Sequence, residues 1–179
     1  MSVMSRFYAQ RLEKFGPTPQ GVGWPTAREA MQPYEVMVRL LGIGKGDTVL
    51  DVGCGPGLAR KLVPGRYVGC DTHLAALQHC DFPVACGSAS TFCDDAVDFA
   101  VMHGAFNVGY KSLSHVGDVV REMVRVAKKG IAFTVEPAMH EEFVKFSLWP
   151  EEEWVLVAHR WLEAPQFRYV GRNMVIWNT

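Results

Sequence analysis

The stretch VLDVGCGPGLARKL, residues 49–62, holds the residue types best suited to chemistry. An apolar run enters Gly53-x-Gly55-x-Gly57, with Asp51 two residues ahead of the first glycine. Glycines are needed where backbone must approach a ligand with no side chain between them. A strand-to-helix turn of this kind lies at the carboxyl edge of an open parallel sheet, where such folds bind ligands. A dinucleotide site wants its third glycine at position 58, and this chain has Leu58 there. A carboxylate at the strand end also repels a pyrophosphate and attracts a cationic group, and hydrogen bonds to charged groups are worth roughly 1.5–3 kcal/mol net. A second carboxylate, Asp71, ends the next apolar run, YVGCD.

These residues need a scaffold, and the rest of the chain supplies one. Residues 5–15 pattern as a helix that stops at Gly16-Pro17, and the loop 16–25 carries Trp24. Thr26 and Glu29 have capping-box spacing, opening a helix whose apolar stripe runs from Ala30 to Leu41, with a kink or restart expected at Pro33. From residue 47 short apolar runs (48–52, 67–70, 83–86, 97–103, 131–136) alternate with helical segments. That alternation means an α/β domain with a parallel sheet. HVGDVVREMVRVAKKG patterns as a helix ending on Lys128, Lys129 and Gly130. EEEWVLVAHRWL has a strand-like VLV core. The Pro150–Glu153 start and a shared face of Trp154, Val157, Ala158 and Trp161 favour a helix instead. QFRYV and NMVIWN then close a hairpin around residues 171–173.

VLDVGCGPG resembles motif I of the class I S-adenosylmethionine-dependent methyltransferases. YVGCDTH resembles their second strand, whose terminal acid takes the ribose hydroxyls. CGSAS stands where the family often has G-D-A, with Ser88 in place of the aspartate. VDFAVMHGAFN and REMVRVAKKG resemble the fourth strand and the helix and turn after it. The resemblance covers roughly residues 47–136. It implies a three-layer sandwich with a seven-stranded sheet in the order 3-2-1-4-5-7-6, the last strand antiparallel. It implies one domain, with residues 42–179 as core and 1–41 as a helical lid that also resembles small bacterial methyltransferases. It implies S-adenosylmethionine as cofactor and S-adenosylhomocysteine as product. Carried onto this chain, the cofactor residues are Asp51, Gly53, Cys54, Gly55, Gly57, Asp71, Thr72, Ser88, Ala89 and His103.

Methyl transfer is an in-line displacement in which holding the acceptor close supplies roughly 7–11 kcal/mol. An acceptor hydroxyl or amine also gives up a proton. His103 is the first candidate to take it and His140, after the fifth strand, the second. The alternative for His103 is that it merely lines the cofactor pocket. Trp24, Asn107 and Tyr110 are expected at the acceptor, with Phe7, Tyr8, Met31 and Met37 as lid or as ordinary packing. Glu136 and the acidic run 151–153 read as solvated surface and a helix start.

The chain has 179 residues, 49% apolar and 21% charged, which excludes a disordered chain. No apolar run approaches the roughly 18 residues of a spanning helix. With 18 basic against 19 acidic residues there is no basic excess for nucleic acid. Five cysteines without ligand spacing read as free thiols, with no metal site, in a reducing cytoplasm, and no secretory leader is read at the start. The expected activity is transfer to a small-molecule oxygen or nitrogen. A non-catalytic cofactor-binding partner domain and a protein methyltransferase are the alternatives, and a homodimer is one way to complete an open acceptor site.

Overall fold

The computed structural model describes residues 3–107, 113–136 and 151–179. Its elements are α1 (Val3–Phe15), α2 (Ala27–Leu40), β1 (Thr48–Val52), β2 (Arg66–Asp71), α3 (Leu74–Leu77), β3 (Val84–Cys86), β4 (Val97–Met102), α4 (Leu113–Val126), β5 (Ala127–Val135), α5 (Glu151–Trp161), β6 (Gln166–Val170) and β7 (Asn173–Asn178). The seven strands form one sheet in the order 3-2-1-4-5-7-6, and β7 runs antiparallel to both of its neighbours. This is the expected topology.

Side-chain alternation along each strand divides the core into two layers. Leu50, Ala100, Met102, Ile131 and Phe133 face α4 and α5, meeting Val120, Met123, Trp154 and Ala158. Val49, Phe99, Val101, Ala132 and Val175 face α2, meeting Met37, Leu41 and Tyr34. The same alternation puts Asp51 on the α2 side with Val49, which decides its surroundings.

α2 begins as its sequence demands. The Thr26 hydroxyl accepts the Glu29 backbone N–H at 3.2 Å and donates to the Glu29 carboxylate at 2.8 Å. Pro33 lies within one uninterrupted helix rather than at a restart, with its ring buried. The helix stops at Leu41-Gly42, where Gly42 takes the left-handed φ of +66°.

Two elements differ from expectation. After Gly57 the chain makes only a short 3-10 turn, Leu58–Leu62, because Pro64 disfavours helical backbone at Val63, which is extended. And α4 ends at Val126, so Lys128, Lys129 and Gly130 belong to β5. Lys129 pairs with Asp98 at 3.1 Å and with Asp47. A Cβ on Gly130 would lie 2.6 Å from the Asn178 carbonyl, so this glycine admits the close approach of the last strand instead of capping a helix.

Candidate active site

One cavity of about 570 Å³ opens along the carboxyl edge of the sheet. At one end lie Gly87 and Ser88 after β3, then Asp71 and Thr72 after β2, then Gly53, Cys54 and Gly55 after β1. At the other end lie His103 and Gly104 after β4, Glu136 after β5, and Arg172 in the β6–β7 turn. Tyr34 and Ala30 of α2, with Phe7, Tyr8 and Trp24, cover it.

The glycine turn is held from both sides. Gly53, Gly55 and Gly57 all have positive φ. The Gly53 and Cys54 N–H groups both donate to the Cys70 carbonyl, at 2.8 and 3.0 Å. Gly57 does not line the cavity: a Cβ there would fall 2.2 Å from the Phe82 ring, so its role is in the turn. Asp71 accepts the Gly55 N–H at 2.9 Å through one oxygen. The other oxygen accepts the His73 backbone N–H at 2.8 Å and faces His73 Nδ1 at 3.0 Å. Its carboxylate is therefore fixed at the cavity wall, with the further acceptor capacity that a carboxylate carries.

Asp51 does not reach the cavity. It is fully buried beneath α2, and the Tyr34 hydroxyl meets its two oxygens at 3.0 and 3.1 Å. Tyr67 donates to the same carboxylate. Burial pushes the Asp51 carboxyl up to about 7, against the lowering effect of Tyr67 and Tyr34, and the charge of Asp71 adds to the rise. Tyr34 lines the cavity, so the charge of Asp51 is felt there through a phenol. The sequence reading missed both tyrosines. The β1–β2 register pairs Val49 with Tyr67, which places that ring on the Asp51 face.

His103 lines the cavity, with both ring nitrogens hydrogen-bonded. A carbonyl only accepts, so Nε2 carries the hydrogen it donates to the Glu29 carbonyl at 3.1 Å. Nδ1 then accepts from the Thr134 hydroxyl at 2.8 Å. Burial lowers its pKa to about 4 against the raising effect of the Glu29 bond. Trp24 stacks on the ring at 4.4 Å and Tyr34 meets its edge at 5.2 Å. In this arrangement the ring ties together β4, β5, α2 and the Trp24 loop. The Ala89 side chain packs in the core. Cys54, Thr72 and Ser88 line the cavity. Asn107 closes a short 3-10 turn, while Tyr110 and His140 lie outside the described residues. Among the described residues, no three acidic, histidine or cysteine groups gather as a metal site.

Residues 50–135 match the methyltransferase domain family. That match and the sheet order together support a class I S-adenosylmethionine-dependent methyltransferase fold. A methyltransferase from Aquifex aeolicus, described as S-adenosylmethionine-dependent, is 20% identical, with 94% of this chain and 96% of that one covered and a TM-score of 0.67. A chain from the complex of the Haloferax volcanii Trm112 methyltransferase activator is 17% identical, with 98% of each covered and a TM-score of 0.69. The Burkholderia thailandensis 1,6-didemethyltoxoflavin-N1-methyltransferase, bound to that substrate and S-adenosylhomocysteine, is 15% identical, with 99% and 89% covered and a TM-score of 0.67. No curated protein matches the chain by sequence.

The cofactor of this methyltransferase class is S-adenosylmethionine, and the residues present fit it. Asp71 offers a fixed carboxylate suited to a diol, and Gly53 and Gly55 leave the wall free of side chains. Among the described lining residues Arg172 is the one permanent cation, and it lies at the far end against Glu136. A pyrophosphate would find Asp71 and no counter-charge beside it.

Proposed function

We propose that this chain transfers a methyl group from S-adenosylmethionine to an oxygen or nitrogen of a small molecule in the cytoplasm. The observation that carries this is the Asp71 carboxylate, held by two backbone N–H groups beside the glycine turn, at one end of a cavity that continues past it to β4 and β5. When bound, the cofactor supplies an electrophilic methyl on a positively charged sulfur. Asp71 would hold the ribose, Gly53 and Gly55 would admit the amino-acid part, and Thr72 and Ser88 would flank the base. Tyr34 presents a phenol backed by a carboxylate, which favours positive charge nearby. Trp24 and α2 exclude water from the acceptor side. No helix of the described residues is long and apolar enough to cross a membrane.

Calorimetry tests the reading. The protein is expected to bind S-adenosylmethionine and S-adenosylhomocysteine but not NAD, and Asp71→Ala to lose roughly 1.5–3 kcal/mol of that binding. Absence of binding by the unaltered protein, or full affinity in the variant, overturns it. The likeness to a chain from an activator complex supports a second reading, in which a partner protein completes the site. Turnover by the isolated chain decides between them.

A further inference from the structure

Glu136 reads as solvated surface in the sequence, but the structure turns it into the cavity. It follows the last residue of β5, and the tight β6–β7 turn brings Arg172 to it, Nε to carboxylate at 3.0 Å. The Glu136 side chain keeps only 18% of its exposure, against 43% for Arg172. From the Asp71 end of the cavity, the sheet order β2-β1-β4-β5 places Glu136 three strand spacings away, roughly 14 Å. Glu136 thus closes the end of the cavity away from Asp71.

We propose that Glu136 is the acceptor-side carboxylate of the transfer, receiving the hydrogen that the acceptor must lose, with Arg172 as its positioning residue. This rests on the methyltransferase reading above and names the acceptor class: a flat, largely apolar compound whose nucleophilic nitrogen or oxygen carries a hydrogen. The walls around Glu136 set the flat apolar body, since Trp24, Ala30, Met102 and Val119 line the same space. The carboxylate sets the hydrogen. In the step, the acceptor's lone pair forms the bond to the methyl carbon. The pair of the broken carbon–sulfur bond stays on sulfur and cancels its charge. The acceptor's hydrogen passes to Glu136 and from there to solvent at the exposed edge of the pair.

The charged neighbours agree with this role. Burial raises the Glu136 carboxyl above its ordinary value, Arg172 draws it down, and Glu29 of α2 raises it. A carboxylate lifted in this way is better matched to accept a proton near neutrality. His115 of α4 and His103 line the same cavity, His103 with both ring nitrogens hydrogen-bonded.

The test uses the full chain loaded with S-adenosylhomocysteine and two probe pairs, indole against N-methylindole and phenol against anisole, with binding read by ligand-observed NMR. The hydrogen-bearing member of each pair is expected to bind about tenfold more tightly. Glu136→Gln, which keeps an accepting oxygen, retains the preference, and Glu136→Ala loses it. With S-adenosylmethionine, Glu136→Gln is expected to lower kcat on the bound acceptor by roughly 10²–10⁴-fold at unchanged cofactor affinity. Arg172→Ala moves the acid limb of the kcat–pH profile to higher pH, and Arg172→Lys restores it. Equal preference in wild type and Glu136→Ala, or full kcat in Glu136→Gln, overturns the proposal. So does failure of every probe to bind while S-adenosylhomocysteine binds. Failure of S-adenosylhomocysteine itself to bind counts instead against the methyltransferase reading.

Discussion

Replacing Asp51 by asparagine is expected to make the protein progressively more stable than wild type as pH rises. Asp51 is buried, and burial holds its carboxyl at about 7, while the unfolded chain ionises near 3.8. Between these values the native state keeps a proton that the unfolded state has lost. The stability from this group is thus complete below about pH 4 and drains away as pH rises, by about 1.4 kcal/mol per unit, until the native carboxyl also ionises near 7. The asparagine side chain has no proton to lose. The groups facing the site are Tyr34 from α2, Tyr67 from β2, Cys54 from the glycine turn and Asp71 after it, and all remain in the variant. Asp47 and Asp98, held below the usual range by their hydrogen bonds, gain stability with rising pH, but they do so in both proteins and cancel. The difference in unfolding free energy, variant minus wild type, should therefore grow by roughly 3 kcal/mol from pH 4.5 to pH 8. Urea unfolding followed by tryptophan fluorescence at fixed ionic strength measures it. A difference that stays flat or shrinks with pH refutes the reasoning, because it means Asp51 is charged throughout.

His103→Ala is expected to cost roughly 2–4 kcal/mol of stability, since it empties a buried ring site and strands the Thr134 hydroxyl and Glu29 carbonyl. Urea titration checks this; stability close to wild type with kcat down a hundredfold would restore the ring as a base. Gly104→Ala puts a Cβ 2.5 Å from the Trp24 ring at a φ of +76°. It should displace Trp24 from His103, weakening binding of the indole and phenol probes at least about tenfold while leaving S-adenosylhomocysteine affinity within a factor of about two, both read by the NMR and calorimetric titrations.

The fold was legible because its signals repeat: seven apolar runs, the capping box at Thr26, and the acidic start of α5 each state locally what the tertiary structure then uses. The readings that failed depended on distant neighbours. Lys129 and Gly130 look like a helix stop only while Asp47, Asp98 and Asn178 are out of view. Asp51 was found as a special acid, but strand alternation had to be followed to α2 and β2 before its two tyrosines could be seen. Glu136 carries no mark of its own, because its partner Arg172 arrives from a hairpin turn far along the chain. His103 lines the cavity, and the bond that its Nε2 makes depends on the Glu29 carbonyl, which no pattern of residue types discloses.

The burial of Asp51 bears on which ligands the cavity favours. Burial lifts the Asp51 carboxyl toward neutrality, so nearby charge bears on which of its two forms prevails. A ligand bringing positive charge to the Tyr34 phenol favours the carboxylate and draws a proton off Asp51. An anionic ligand does the reverse and must first hold Asp51 neutral against its hydrogen bonds. The burial that lifts Asp51 costs stability above about pH 4 and leaves a carboxyl behind Tyr34 that responds to charge in the cavity. Tyr34 belongs to α2, and α2 also presents the Glu29 carbonyl to His103, so one helix carries both the phenol over Asp51 and the contact that holds the ring beneath Trp24.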